Sequence, residues 1–267
     1  MIGSTVAFLF LVELGVGVLL TLWILRCFEL PRSLKMMLAG LAGALVALGL
    51  PFGMRALGTA GFLPALLQAH SFWPLVVVAG CAAYLVTLVT WGGDASRWLL
   101  VITLLAGVAS ITAGGLALGA SSGIWADLQR SGYFLSAALL LGSTLGAMIL
   151  GHWYLVDRSM AIEPLRRATY LLLFAVVLRI GVVGGPAYRF LAEGSLAAGE
   201  SLDLGLFWVQ RTLFGLAGPL ILGVMIWQTV RLRATQAATG LLYIVLIFVI
   251  IGEILSHYLF LKTDRFL

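Results

Sequence analysis

Five ionisable side chains lie inside long apolar segments of this 267-residue chain: Glu13, Arg179, Arg211, Glu253 and His257. A charge in an apolar segment is costly, so such a residue is by default a functional hypothesis. Carboxylates and imidazole can take up and release protons. Arginine can hold a carboxylate or a ligand carbonyl oxygen by hydrogen bonds. These residue types predict a polar site that handles protons in apolar surroundings.

The composition indicates that these surroundings are a lipid bilayer. Hydrophobic residues make up 62% of the chain and charged residues 10%, and the mean hydropathy is +1.11. About a quarter of a soluble domain is charged, so a soluble, disordered or collagen-like chain is excluded. The apolar runs are continuous rather than alternating, which favours membrane helices over a barrel. The net charge of +5 lies mostly in short loops, where topology explains it, and does not indicate nucleic-acid binding.

Eight apolar segments have the length of a membrane-crossing helix. The sequence therefore predicts an all-α bundle of about eight transmembrane helices that forms one integral membrane domain, residues 1–267. The predicted spans are 6–27, 37–54, 72–91, 98–118, 132–153, 168–186, 206–230 and 237–261. The second span is the shortest of these, and three glycines and Pro51 weaken it as a helix.

The basic residues predict the orientation of these spans. A signal peptide begins with a basic region, but no Lys or Arg precedes the first span here. The first basic residue, Arg26, comes at the end of this span. The ends and loops after odd-numbered spans hold nine basic residues: Arg26, Arg32, Lys35, Arg97, Arg158, Arg166, Arg167, Arg231 and Arg233. The opposite side holds five: Arg55, Arg130, Arg189, Lys262 and Arg265. This bias predicts both termini in the periplasm of a bacterium, with the chain in its inner membrane.

In this orientation the five ionisable residues fall in the outer half of the membrane. His257 follows Glu253 by four residues, so the two share a helix face. His70, at the entry of span three, is also on the outer side. We therefore expect one outward-facing pocket between spans one, six, seven and eight. In the alternative interpretation, Glu13 or Glu253 pairs with an arginine only to lock helices together.

The sequence argues against a metal centre in this chain. Its two cysteines, Cys27 and Cys81, form no C-x-x-C motif, so no iron–sulfur or zinc cluster is predicted. Of the three histidines, His152 is predicted at the inner face, in an aromatic belt. Only His70 and His257 share a side of the membrane, so a haem b with two axial histidines would need that pair.

Span eight carries a recognisable pattern. Gly240-Leu241-Leu242-Tyr243 leads through an aliphatic run to Gly252-Glu253-Ile254-Leu255 and then Tyr258-Leu259-Phe260. This pattern resembles the last helix of the membrane-anchor subunit of bacterial dimethyl-sulfoxide (DMSO) reductases, whose distant cousins anchor polysulfide and nitrite reductases. Phe207-Trp208-Val209-Gln210-Arg211 resembles the family's Trp-Arg entry to helix seven, and Phe134–Gly151 resembles its helix five.

The resemblance implies a membrane-anchor subunit that is not an enzyme alone. Such a subunit holds an iron–sulfur subunit and a molybdopterin catalytic subunit at the membrane. It exchanges electrons between them and a quinone or quinol (menaquinone or ubiquinone), as in anaerobic respiration. The family has a quinol-linked histidine before a P-x-R element after helix two. Here the stretch Leu48–Arg55 keeps Arg55 but lacks the histidine, so His70 or His257 would replace it.

Two functions follow as hypotheses. In the first, the two carboxylates exchange protons, the two arginines within spans orient the quinone head, and His257 or His70 hydrogen-bonds a carbonyl oxygen. In the second, the chain is a structural or assembly subunit of a membrane complex without quinone chemistry. A transporter is disfavoured, because the sequence shows no inverted repeat and no matched pair of broken helices.

Overall fold

The computed structural model describes residues 2–25, 30–56, 69–90, 96–118, 123–157, 160–192 and 202–266. The regular structure of these residues is helical, which confirms the all-α prediction. The helices are α1 (Ile2–Leu25), α2 (Arg32–Ala56), α3 (Ala69–Thr90), α4 (Ser96–Ala117), α5 (Ile124–Val156), α6 (Glu163–Ala192), α7 (Leu202–Thr212), α8 (Gly218–Arg231) and α9 (Thr235–Thr263). A π-helical turn, Leu213–Ala217, joins α7 to α8.

Among the described residues, eight helical segments are long and apolar enough to cross a membrane. The helices α1 to α6 and α9 each provide one, and α7, the π turn and α8 together provide another, Gly205–Arg231. This number and the apolar character of the segments describe a multi-pass membrane protein, as the composition predicts. The described part of the chain packs around one main hydrophobic core, to which residues of every span contribute.

Helix α5 begins earlier than the sequence predicts. It has 33 residues, about 50 Å of helix, whereas the hydrocarbon core is about 30 Å thick. Its first turns contain Asp127 and Arg130, which lie three residues apart with Nη1 and Oδ1 3.8 Å apart. Arg130 therefore lies in a helix and is buried, although the predicted span five begins only at residue 132. The apolar run begins after these charged residues, but the helix begins before them.

The prediction that span two is the shortest is also wrong, because α2 has 25 residues and includes Pro51. Its glycines lie at helix contacts rather than at breaks. A Cβ on Gly43 would be 3.0 Å from Cys81 Cβ of α3, and one on Gly49 would be 3.4 Å from Leu11 Cβ of α1. Tertiary packing thus outweighs the low helix propensity of this segment.

Helices α1 and α5 form the centre of the bundle. In each of these two spans, 72% of an apolar stretch of 18 residues is buried, more than in the other described spans. Their backbones touch where Gly17 of α1 meets Ala138 and Gly142 of α5, and neither glycine has room for a side chain. Small residues at a crossing allow such close approach between membrane helices. This crossing places the polar residues of α1 beside those of α5.

Candidate functional site

The structure brings five predicted site residues into one buried group, which we call the charge cluster: Glu13, Arg179, Arg211, Glu253 and His257. They come from α1, α6, α7 and α9, and each is at most 1% exposed. The cluster therefore joins spans one, six, seven and eight. Their functional roles are still predictions.

Arg179 is held by hydrogen bonds on every nitrogen of its guanidinium group. Its Nε donates to Glu253 Oε1 at 3.1 Å and its Nη2 to Glu253 Oε2 at 2.6 Å. Nη2 also donates to Ser256 Oγ, and Nη1 donates to Tyr133 O at 2.6 Å and to Ser136 Oγ. The guanidinium carbon lies 4.2 Å from the centre of the Tyr133 ring. This geometry ties α5, α6 and α9 together, as the helix-locking interpretation requires.

Three polar partners in this site are not predicted from the sequence: Tyr133, Ser136 and Ser256. The hydroxyl groups of Tyr133 and Ser256 are 2.5 Å apart. Ser256 could have been found, since it follows Glu253 by three residues and so lies on the same face of α9. Tyr133 and Ser136 gave no such signal, because the contact of α5 with Arg179 depends on how the helices pack.

Glu13 and His257 form a pair that holds one proton between them. His257 Nδ1 lies 2.6 Å from the main-chain oxygen of Glu253, which can only accept, so Nδ1 donates. Nε2 lies 2.9 Å from Glu13 Oε1. This contact needs a single proton, carried either as imidazolium with carboxylate or as imidazole with carboxylic acid. The Phe134 ring stacks on the imidazole, with ring centres 5.7 Å apart.

The formal charges of the five cluster residues sum to +1. Arg179 and Arg211 are both within ion-pair distance of Glu253, and the Glu13–His257 pair is neutral as a whole in either protonation form. Arg211 Nη2 is 3.8 Å from Glu253 Oε1, farther than the bidentate contacts of Arg179. A buried positive charge in low dielectric attracts electron-rich oxygen atoms.

The π-helical turn positions Arg211. This turn begins two residues after Arg211 and brings Gly215 against Gly252 of α9. A Cβ on Gly215 would lie 2.5 Å from Arg211 Nη1 and 3.0 Å from Gly252 Cα. The glycine thus leaves the space in which the guanidinium group reaches Glu253. Single π turns are frequent at functional sites.

An apolar groove of about 580 Å³ lies on helices that also carry cluster residues, although no cluster residue lines it. It is lined by α1, the end of α2, α7 and α9, including Val6, Phe52, Phe207 and Tyr258. Span six contributes none of the lining residues among those described, whereas α2 contributes Phe52. Span six meets the site through the buried side chain of Arg179.

Arg55 and His70 are the other predicted site residues. Arg55 is exposed in the last turn of α2. His70 is in the first turn of α3, and its side chain lies outside the described residues, as does Cys27. His152 Nδ1 lies 3.0 Å from the Tyr243 hydroxyl group. Both ring nitrogens of His257 are engaged in hydrogen bonds, which leaves neither for an axial bond to haem iron.

Comparison with known proteins assigns no family to the chain. No protein-family model matches it, and no curated protein matches it. The chemistry of the charge cluster and the apolar groove are therefore the basis for assigning a function.

Proposed function

We propose that the protein is a quinone- or quinol-interacting membrane-anchor subunit of a respiratory redox enzyme. It lies in a bacterial inner membrane with both termini in the periplasm. It passes electrons between the quinone pool and an iron–sulfur and a molybdopterin subunit. One observation carries this proposal: the buried one-proton pair Glu13–His257 belongs to α1 and α9, two helices that also line an apolar groove.

The groove fits the apolar part of a quinone. Ligand pockets commonly have volumes of about 300–1,000 Å³ and mostly apolar walls, and this groove falls in that range. Val6 lines the groove and precedes Glu13 by seven residues, two helical turns, so both lie on one face of α1. A prenyl tail would occupy the groove, and the head would approach Glu13 and His257 past Val6.

The cluster supplies what a quinone head needs from the protein. A bound quinone provides the redox chemistry, in which two electrons and two protons are exchanged. The Glu13–His257 pair holds a proton at Oε1 or Nε2 and can give it to, or take it from, a carbonyl or hydroxyl oxygen. The net positive charge, to which Arg211 contributes, favours the electron-rich form of that oxygen. The surrounding apolar helices exclude bulk water.

Binding of a fluorescent quinol-analogue inhibitor to the purified full-length protein in lipid nanodiscs tests this proposal. Ala7→Trp fills the groove and should weaken binding by about tenfold or more, equivalent to about 1.4 kcal/mol. Glu13→Gln removes the exchangeable proton and should also weaken binding. The matched controls are Ile102→Trp, on an exposed face of α4, and Glu163→Gln, at the start of α6. Absence of saturable binding to the wild type, or full binding to Ala7→Trp, would refute the quinone site.

A structural or assembly subunit is the second candidate, and the contacts of Arg179 favour it. Its guanidinium group is engaged by α5 and α9 on every nitrogen and needs no ligand. This function predicts no quinol-analogue binding to the wild type. It also predicts that Arg179 variants lose helix packing and partner assembly together. The binding experiment therefore distinguishes the two functions.

A further inference from the structure

Two buried oxygen atoms on α1 and α4 have no hydrogen-bond partner among the described residues: Glu13 Oε2 and Ser110 Oγ. Both residues are 1% exposed. A buried polar atom without a partner costs about 1–3 kcal/mol, so such atoms are rare in folded proteins. Each oxygen therefore indicates a partner of another kind.

The two helices run antiparallel in a register that glycine contacts define. A Cβ on Gly107 of α4 would be 2.8 Å from Val16 Cγ1 of α1. A Cβ on Gly114 would be 3.9 Å from Leu9 Cδ2. Gly107 and Gly114 are two helical turns apart on one face of α4, and Leu9 and Val16 are two turns apart on one face of α1.

This register places Ser110 opposite Glu13. Ser110 follows Gly107 by three residues and Glu13 precedes Val16 by three, so the two positions lie at the same level on facing helix surfaces. Their free oxygens nevertheless form no hydrogen bond with each other. The interface therefore holds two polar atoms at one level that do not contact each other.

Ser110 also differs from other buried hydroxyl groups nearby. Thr103 donates to Leu99 O in its own helix, and Ser143 donates to Leu140 O. Buried Ser and Thr in membrane helices commonly satisfy their hydroxyl in this way. The Ser110 hydroxyl makes no such bond, so its proton is available to another acceptor.

We propose that Glu13 and Ser110 bind a water molecule between α1 and α4. A buried water needs two to four polar partners, and these two oxygens meet the lower limit. Ser110 donates to the water, and the water donates to Glu13 Oε2. Glu13 is then hydrogen-bonded on both oxygens, to His257 through Oε1 and to the water through Oε2. The water makes the proton of the buried pair exchangeable, and the inference does not depend on the quinone proposal.

A crystal structure of the full-length protein in a lipid mesophase, at a resolution that shows ordered water, tests the site directly. The wild type should show a water within hydrogen-bond distance of Glu13 Oε2 and Ser110 Oγ. Ser110→Ala should lose it. Ser143→Ala is the matched control, since it removes a buried hydroxyl that already has a partner, and it should keep the water. A direct Ser110–Glu13 hydrogen bond, or dry packing in the wild type, would overturn the proposal.

Hydrogen–deuterium exchange of the Glu13–His257 proton, followed by infrared spectroscopy, tests the consequence. Ser110→Ala should slow exchange by about tenfold, the effect that losing one net hydrogen bond has on an equilibrium. Ser143→Ala should leave the exchange rate unchanged. Equal rates in Ser110→Ala and the wild type would contradict the proposed role of the water. No quinol is present in either experiment, so failure here is distinct from failure of the proposed function.

Discussion

At the scale of single residues, Arg179 is the residue whose neighbours most constrain the site. Its charge is compensated by Glu253 and by neutral acceptors on α5 and α9. Removing one member of a buried ion pair leaves the other member's charge uncompensated, which costs more than the intact pair contributes. Arg211 lies farther from the same carboxylate, with Nη2 3.8 Å from Glu253 Oε1, than Arg179 does.

We predict that Arg179→Met lowers the free energy of unfolding by about 3–5 kcal/mol, because Glu253 loses its bidentate partner. Denaturant unfolding of the purified protein in mild micelles measures this change. Arg166→Met is the matched control, since Arg166 forms an exposed pair with Glu163, and it should cost at most about 1 kcal/mol. If Glu253→Gln added to Arg179→Met restored no stability, the carboxylate would not be the source of the loss.

At the scale of elements, span seven and α9 approach most closely where the π turn meets Gly252. A Cβ on Gly252 would collide with the backbone of Gly215. The close approach places the middle of the π turn against the residue before Glu253, so the path of the two helices determines how near Arg211 comes to Glu253. Local helix geometry here controls the electrostatics of the site.

Gly252→Ala should destabilise the protein by about 1–3 kcal/mol, because the added methyl group forces the two helices apart. Gly240→Ala, the same change earlier in α9, should be neutral or stabilising by up to about 1 kcal/mol. Nothing lies within 4 Å of its added Cβ, and alanine favours a helix over glycine. Thermal unfolding in detergent compares the two variants. Equal melting temperatures would mean that the helix contact is not tight.

At the scale of the whole molecule, the alternation of eight spans places the cluster near one side of the membrane. The distribution of nine basic residues against five predicts that this side is the periplasm. One connection on the predicted opposite side is described in full and is short: residues 232–234 join α8 to α9.

Cysteine labelling of intact cells tests this orientation, in a chain in which Cys27 and Cys81 are replaced by serine. A membrane-impermeant maleimide should label Trp125→Cys, at the start of α5. It should leave Leu232→Cys, in the turn between α8 and α9, unlabelled until the cells are opened. Both positions are about 80% exposed or more, so accessibility within the protein is matched. The reverse pattern would place the cluster on the cytoplasmic side.

The sequence by itself determined the helical class, the eight spans and the identity of the five residues in the charge cluster. Hydropathy and helical period are local properties of the chain, so Glu253 and His257 could be placed on one face of α9 without a structure. Local signals were also misleading, because the charged residues Asp127 and Arg130 interrupt the apolar pattern and the first turns of α5 were not predicted as helix.

Only the tertiary structure decided which partners meet. Arg179 binds Glu253 rather than Glu13, His257 binds Glu13, and a main-chain oxygen of α5 completes the site. These choices depend on the rotation and crossing of helices far apart in sequence. Close contacts such as Gly17 with Gly142 set that geometry, because packed backbones allow few alternative arrangements. The outline of the groove and the register of Ser110 with Glu13 have the same origin.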